Sequence, residues 1–203
     1  MNTVVPIRDM DIVLNFADVL RAKSERDYAL FMLGIYSGLR VTDILHLKVQ
    51  DVRGKNNIYL HEQKTGKEKR FPINDDLREI LDEYTKDMKE YEYLFQSRQG
   101  RNKPITRTRA WDILHKTAAE FGLENIGCHT MRKTFGYFLY QQTKDILLVK
   151  DILNHADASS TYRYIGLMGI QKDKAMQNLS FRRQSKERKN GRHKNNNCSD
   201  DND

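Results

Sequence analysis

The chain has 203 residues, enough for one ordinary domain with its own core and a tail. Its net charge of +7 and pI near 9.3 favour a polyanionic partner. The two cysteines, Cys128 and Cys198, lie far apart with no CxxC, which argues against a disulfide framework or zinc ribbon and fits a reducing cytoplasm. Met-Asn-Thr-Val-Val-Pro, with no basic run and no long apolar run, does not read as a signal peptide, and no stretch reaches the roughly 18 apolar residues of a membrane span.

Pro6 closes a short extended lead-in. From Asp9 to Ala22, the residues Ile12, Val13, Phe16, Val19 and Leu20 recur at helical spacing. Ser24-Glu-Arg-Asp27 is a capping-box variant that opens a second helix through Tyr28, Leu30, Phe31, Leu33 and Ile35. That helix stops at Ser37-Gly38, where glycine accepts the left-handed conformation. Leu39 to Leu45 turns the corner into a short third helix, with Thr42 as its expected N-cap. Asn57 to Gln63 and Lys69 to Ile73 read as two strands of a hairpin around Lys64-Thr-Gly-Lys67. Leu47 to Val52 is expected to add a third strand.

Asn74 or Asp75 caps a helix with Leu77, Ile80, Leu81, Tyr84 and Met88 on one face. Arg98 to Pro104 is a basic loop. Thr106 caps the next helix, with Ala110, Trp111, Leu114, Ala118 and Phe121 expected inside and Gly122 beyond its end. Helices from about His129 to Gln142 and Asp145 to Leu153 follow. A small polar stretch then leads from His155 to Tyr164. Beyond Phe181 the apolar period disappears: Arg182 to Asn197 is rich in Arg, Lys, Asn and Gln, and Ser199 to Asp203 is acidic. This composition reads as a disordered tail over 182–203. The expected fold is α+β and mainly α, one domain over residues 1–181 with a small three-stranded antiparallel sheet.

Three basic clusters stand out. Arg40 follows the helix stop among Leu39, Val41, Ile44 and Leu45, and a guanidinium in apolar company needs a partner. Asp43, three residues on, is the supporting carboxylate that could orient it. Lys64 sits at the hairpin tip, where a mobile turn can deliver an ammonium into a groove, with Lys67 as its competitor. His129-Thr-Met-Arg132 places two side chains on one helix face. Taken singly, each reads more simply as a solvated surface residue. The tyrosines at 162 and 164 likewise read as surface aromatics.

The order along the chain is what separates these readings: Arg, Lys, His-x-x-Arg, His, then Tyr nine residues after the last His. Ser-Gly-Leu-Arg-Val-Thr-Asp, Gln-Lys-Thr-Gly-Lys, His-Thr-Met-Arg-Lys-Thr-Phe and Leu-Asn-His-Ala-Asp…Tyr-Arg-Tyr-Ile-Gly resemble, in sequence and order, the boxes of the tyrosine recombinases. This family is also called the phage integrases and includes the Xer-type enzymes. The likeness runs from about residue 9 to about 180.

The resemblance implies the tyrosine recombinase catalytic-domain fold and a site-specific recombinase or integrase of a mobile genetic element. By that likeness Tyr164, rather than Tyr162, attacks a DNA phosphodiester, giving a 3′-phosphotyrosine and a free 5′-hydroxyl. Arg40 and Arg132 clamp the phosphate, aided by His155. Lys64, preferred to Lys67 on the family pattern alone, protonates the leaving oxygen. His129 assists proton transfer or holds the phosphate. No metal, ATP or other cofactor is implied, because one phosphodiester replaces another and the cations are side chains.

The expected partner is double-stranded DNA, contacted also by Lys67, Lys103, Arg107 and Lys133. Self-association as a tetramer on DNA is expected, with a separate DNA-binding or accessory protein as a further partner, in the cytoplasm and away from any membrane. Arg40 comes too early for the family's N-terminal core-binding domain, so the chain reads as the catalytic domain alone. Position 133 is lysine where many members have histidine. Two competing readings are an integrase-fold DNA-binding regulator and a type IB topoisomerase-like relaxing enzyme. The basic tail would add sequence-independent phosphate contacts. Deleting residues 182–203 is expected to weaken DNA binding and flatten its salt dependence, as measured by titration at several ionic strengths.

Overall fold

The computed structural model describes residues 4–61, 68–155, 157–167 and 176–177. Along the chain run α1 (Met10–Lys23), α2 (Glu25–Ser37), α3 (Val41–Leu45), β1 (Asn57–His61), β2 (Glu68–Pro72), α4 (Asp75–Thr85), α5 (Arg107–Glu120), α6 (Cys128–Thr143), α7 (Ile146–Ile152) and α8 (Ala158–Tyr164). The fold is therefore mainly helical with a small sheet. Among the described residues no helix is long and apolar enough to cross a membrane.

Local chemistry sets most helix starts. Asp9 caps α1 by accepting from the amides of Asp11 and Ile12, and Ser24 caps α2 through the Asp27 amide. Asn74, Thr106, Asp145 and Asp157 cap α4, α5, α7 and α8 in the same way. Each such cap satisfies amides that the helix leaves without partners.

Helix α2 is the centre. Ala29, Leu30, Phe31, Met32 and Leu33 are all buried, so it is covered on most sides, with α1, α4 and α6 packed around it. Phe16 of α1 lies 4.8 Å from the Phe31 ring and 5.6 Å from Phe121. Each fully buried side chain of this size contributes about 1.5–3 kcal/mol.

The sheet has two strands, not three. β1 and β2 pair antiparallel, with Ile58 opposite Phe71 and Leu60 opposite Lys69. In Leu47–Val52 only Lys48 pairs, as an isolated bridge to Tyr93, and Val49–Asp51 winds into a 3₁₀ turn. The Asp51 carboxylate accepts from the Lys48 amide at 2.8 Å, which closes the chain on itself and ends the extended run. Two smaller expectations also change. Arg40 occupies the N-cap position of α3, and Thr42 lies inside the helix. Trp111 is 43% exposed and stacks on His115, while Ile113 and Thr117 turn inward. The buried stripe of α5 thus runs 110, 113–114, 117–118, and residue 111 falls at its edge.

A second, smaller apolar cluster holds α6, α7 and the end of α8 together: Tyr140, Val149, Leu153, Ile165 and Leu167. Gly136 of α6 makes this closeness available. A Cβ there would lie 2.8 Å from Ile165 Cγ2 and 3.1 Å from Leu153 Cδ1. In an open helix Gly→Ala stabilises by about 1 kcal/mol. Here Gly136→Ala is expected to lower the melting temperature instead, because Ile165 must retreat from a packed cluster. A thermal melt checks the sign.

Candidate active site

The site begins where α2 stops. Gly38 takes φ +59 and its amide donates to the Gly34 carbonyl, closing the helix. The buried Leu39 then pins the corner. Arg40 follows with an extended backbone, its carbonyl accepting from the Asp43 and Ile44 amides. Its side chain is half-buried. Asp43 is 5% exposed on the first turn of the same short helix, close in sequence to the guanidinium it was expected to support.

Helix α6 brings the second pair. His129 and Arg132 fall one turn apart near its start. Arg132 is 3% exposed. Its Nη1 donates to the Gly38 carbonyl at 2.6 Å, and Nη2 donates to the Leu153 carbonyl. One guanidinium therefore ties the Arg40 corner to the end of α7, and three walls of the site share it. Such bonds from a charged donor are stronger than neutral ones.

His155 follows α7. The fully buried Leu153 anchors the turn, Asn154 takes φ +51, and the His155 amide donates to the Lys150 carbonyl at 2.9 Å. The imidazole Nδ1 lies 3.1 Å from Thr161 Oγ1, which also reaches the Asp157 carbonyl at 3.1 Å. The threonine has one proton to give. When it goes to Nδ1, Nε2 carries the hydrogen and can donate to an anion.

Tyr164 ends α8. Its ring meets His155 edge-on, with centroids 4.7 Å apart at 76°. Its hydroxyl oxygen is buried. Burial pushes the phenol above its ordinary pKa, and the charges of Arg132 and Arg40 pull against it. Burial outweighs the arginines, so the resting group is the neutral phenol. His129 has the character of a proton acceptor. Desolvation by the cleft wall, then Arg107, Arg132, Lys133 and Arg40, hold its pKa below the usual histidine value.

The sign for stability follows. A histidine whose folded pKa is depressed binds its proton more readily when unfolded, so its contribution to stability falls as pH drops below about 6.5. A histidine NMR titration is expected to show one midpoint below that value. His129→Gln should remove it and flatten the acid limb of the melting-temperature profile.

These residues share one cleft of about 310 Å³, lined by Arg40, His129, Arg132, Asn154, His155, Ser160 and Tyr164. Five of the six expected catalytic residues are thus together. The sixth, Lys64, lies outside the described residues, as does Lys67. Tyr162 is not in the cleft. It is half-buried and packs edge-on against Tyr140 at 5.9 Å. Lys103 and Arg107 are exposed, as a DNA contact requires, and Arg107 acts on His129 electrostatically. Lys133 is different. It is 7% exposed, donates to the Val4 carbonyl at 2.6 Å, and holds its ammonium 5.0 Å from the Tyr164 ring centroid. In this arrangement it faces the protein, because α6 buries that side. Sequence reasoning missed Thr161, whose only signal was a hydroxyl residue on the stretch between the final histidine and the tyrosine.

The phage integrase family model matches residues 8–168, which spans every described element of the cleft. The chain belongs to the phage integrase family. This integrase-family chain is 50% identical over 167 residues to the probable integrase/recombinase YoeC of Bacillus subtilis, covering 82% of this chain and 92% of that protein. It is 28% identical to tyrosine recombinase XerD of Listeria innocua, over 79% of this chain and 57% of XerD. With tyrosine recombinase XerA of Pyrococcus horikoshii it shares 30% over 75% of this chain and 52% of XerA. The chain therefore spans little more than half the length of these Xer relatives. Among solved structures, XerA recombinase superposes with a TM-score of 0.70 at 20% identity, covering 88% of this chain and 67% of that one. A lambda integrase dimer bound to a COC′ core site gives 0.64 at 18%, covering 82% and 49%. The integrase-family fold is thus shared where the sequences have diverged widely.

Proposed function

We propose that this chain is the catalytic domain of a site-specific DNA recombinase that cuts and rejoins double-stranded DNA through a 3′-phosphotyrosine. The observation that carries this reading is the convergence of Tyr164, His155, Arg132, His129 and Arg40 on one cleft from four separate stretches of the chain. YoeC, the Xer relatives and the lambda integrase bound to its core site support the class of reaction and the DNA substrate.

The Tyr164 oxygen attacks the phosphorus, and its proton passes to the neutral imidazole of His129. Negative charge gathers on the non-bridging oxygens, where Arg40, Arg132 and the His155 N–H stabilise it. The bond to the 5′-oxygen breaks, and that oxygen takes a proton from Lys64. Rejoining runs the same steps in reverse with an incoming 5′-hydroxyl. Bond energy is conserved in the covalent intermediate, so no nucleotide is consumed. Exchange between two sites places four copies together, each cutting one strand, in the cytoplasm where the DNA is held.

Covalent trapping tests the reading. A pool of nicked duplexes with a randomised centre loses, after cleavage, the short fragment that bears the new 5′-hydroxyl and cannot be resealed. Denaturing electrophoresis is expected to show protein carrying DNA on a peptide that contains Tyr164. No adduct across the pool, or an adduct on another residue, overturns it.

A further inference from the structure

The lead-in before α1 is stitched to the catalytic helices. The Val5 amide donates to the Asn125 carbonyl at 3.0 Å, and the Ile7 amide to Thr134 Oγ1 at 2.9 Å in a buried bond. Pro6 and Ile7 are buried. Arg8, the next residue, is therefore mounted on a fixed base. Its Nη2 donates to the Gly166 carbonyl at 2.8 Å, and its guanidinium lies 5.9 Å from the Tyr137 ring centroid.

Gly166 is two residues past Tyr164, in the turn that ends α8. The Gly166 amide reaches the Arg163 carbonyl and the Leu167 amide the Tyr162 carbonyl. Helix α8 has only seven residues, too short to hold itself, so its placement depends on what grips its ends. Its start is fixed by the Asp157 cap. Its finish is gripped by Ile165 and Leu167 in the small apolar cluster and by Arg8. Gly166 has φ +75, and a Cβ there would lie 2.5 Å from Arg8 Nη2. The turn is open on the side from which the guanidinium arrives. The same lead-in also touches the nucleophile's ring through Lys133, which bonds Val4 and faces Tyr164.

We propose that Arg8 is a positioning residue for Tyr164: it clamps the Gly166 carbonyl and sets the end of the nucleophile helix from the segment that precedes α1. The proposal rests on the reading of Tyr164 as nucleophile for its catalytic consequence, and on geometry alone for the clamp. Its action is on the placement of the phenol, since Arg8 does not line the cleft. It makes the lead-in a mechanical part of the active site, and whatever displaces that segment displaces Tyr164.

Three measurements on the full chain test it with Arg8→Ala and Arg8→Lys. Amide hydrogen exchange in peptides covering 158–167 is expected to rise in Arg8→Ala and return towards wild type in Arg8→Lys, which restores one donor. The rate of adduct formation on the nicked pool, at saturating DNA, is expected to fall on the order of tenfold in Arg8→Ala, because small misplacements of a reacting group cost rate steeply. The DNA concentration giving half-maximal rate, and the melting temperature, should hold steady.

Unchanged exchange over 158–167 overturns the clamp. A loss of DNA affinity equal to the loss of rate also overturns it, and makes Arg8 a DNA contact. If wild type forms no adduct, the nucleophile reading has failed by itself, and the exchange data still decide the clamp. Gly166→Ala is a second variant on the other side of the bond. It is expected to raise exchange over the same peptide, and exchange unchanged from wild type would count against the clamp.

Discussion

Tyr164→Phe is expected to abolish the covalent protein–DNA adduct while leaving the protein folded and able to bind DNA. The change removes one oxygen, and that oxygen is the only protein atom in the scheme that bonds to phosphorus. No neighbouring group can replace it. Tyr162, the nearest other phenol in sequence, packs against Tyr140 and lies outside the cleft, so Tyr162→Phe is expected to keep adduct formation. The cost to folding should be small. The Tyr164 hydroxyl is buried and raised in pKa by that burial, and deleting a hydroxyl of this kind changes stability by only about 1 kcal/mol. The ring stays edge-on to His155 in either variant. Denaturing gels for the adduct, a melt for folding and a binding titration separate the three quantities. Adduct retained in Tyr164→Phe at the wild-type rate would move the nucleophile elsewhere.

The clarity of the sequence signal varied with how local the cause was. The caps at Ser24, Asn74 and Thr106 were readable because each is a contact between residues three apart. The left-handed stop at Gly38 was readable for the same reason. The third strand was misread because a strand needs a partner across space. The partner residue Tyr93 could not be inferred from Leu47–Val52, and Asp51 turned the segment locally instead. Trp111 was placed inside because periodicity gives a face only to within about one residue, and the helix buried 113 and 117 in its place.

The site shows the same division. Arg40, His129, Arg132, His155 and Tyr164 were legible from residue type and order, since the chemistry of a phosphate demands cations and the resemblance supplied their sequence. Their supports were not. That Arg132 spends part of its fork on two protein carbonyls, and that Lys133 turns towards Val4 and Tyr164 rather than outward, depend on contacts between distant segments. The balance at the Tyr164 phenol is a further case. There burial outweighs the charges of Arg132 and Arg40, and this shifts weight onto His129 as the acceptor of the proton.

Arg132→Ala is expected to fail twice, and the two failures can be told apart. In catalysis it removes a donor aimed at charge that develops in the transition state, and losses on the order of 10²–10³ in rate follow from removing one such group. In folding it deprives the Gly38 and Leu153 carbonyls of a donor. Each buried acceptor left unsatisfied costs about 1–3 kcal/mol, and the two carbonyls belong to the α2–α3 corner and the end of α7, so the walls of the cleft lose their shared tie. A lower melting temperature is therefore expected together with the lost rate.

Arg132→Lys separates the effects. An ammonium on a flexible stem keeps the charge but not the planar fork, and it cannot reach both carbonyls and a phosphate at once. It is expected to recover part of the melting temperature and little of the adduct rate. DNA binding below the melting transition should fall far less than the rate in either variant, because binding draws on many surface cations and Arg132 is 3% exposed. Single-turnover adduct formation, set beside melts and binding at matched temperature, gives the comparison. A lysine variant that cleaves at nearly the wild-type rate would show that charge alone suffices at this position, and the bidentate role of Arg132 would have to be abandoned.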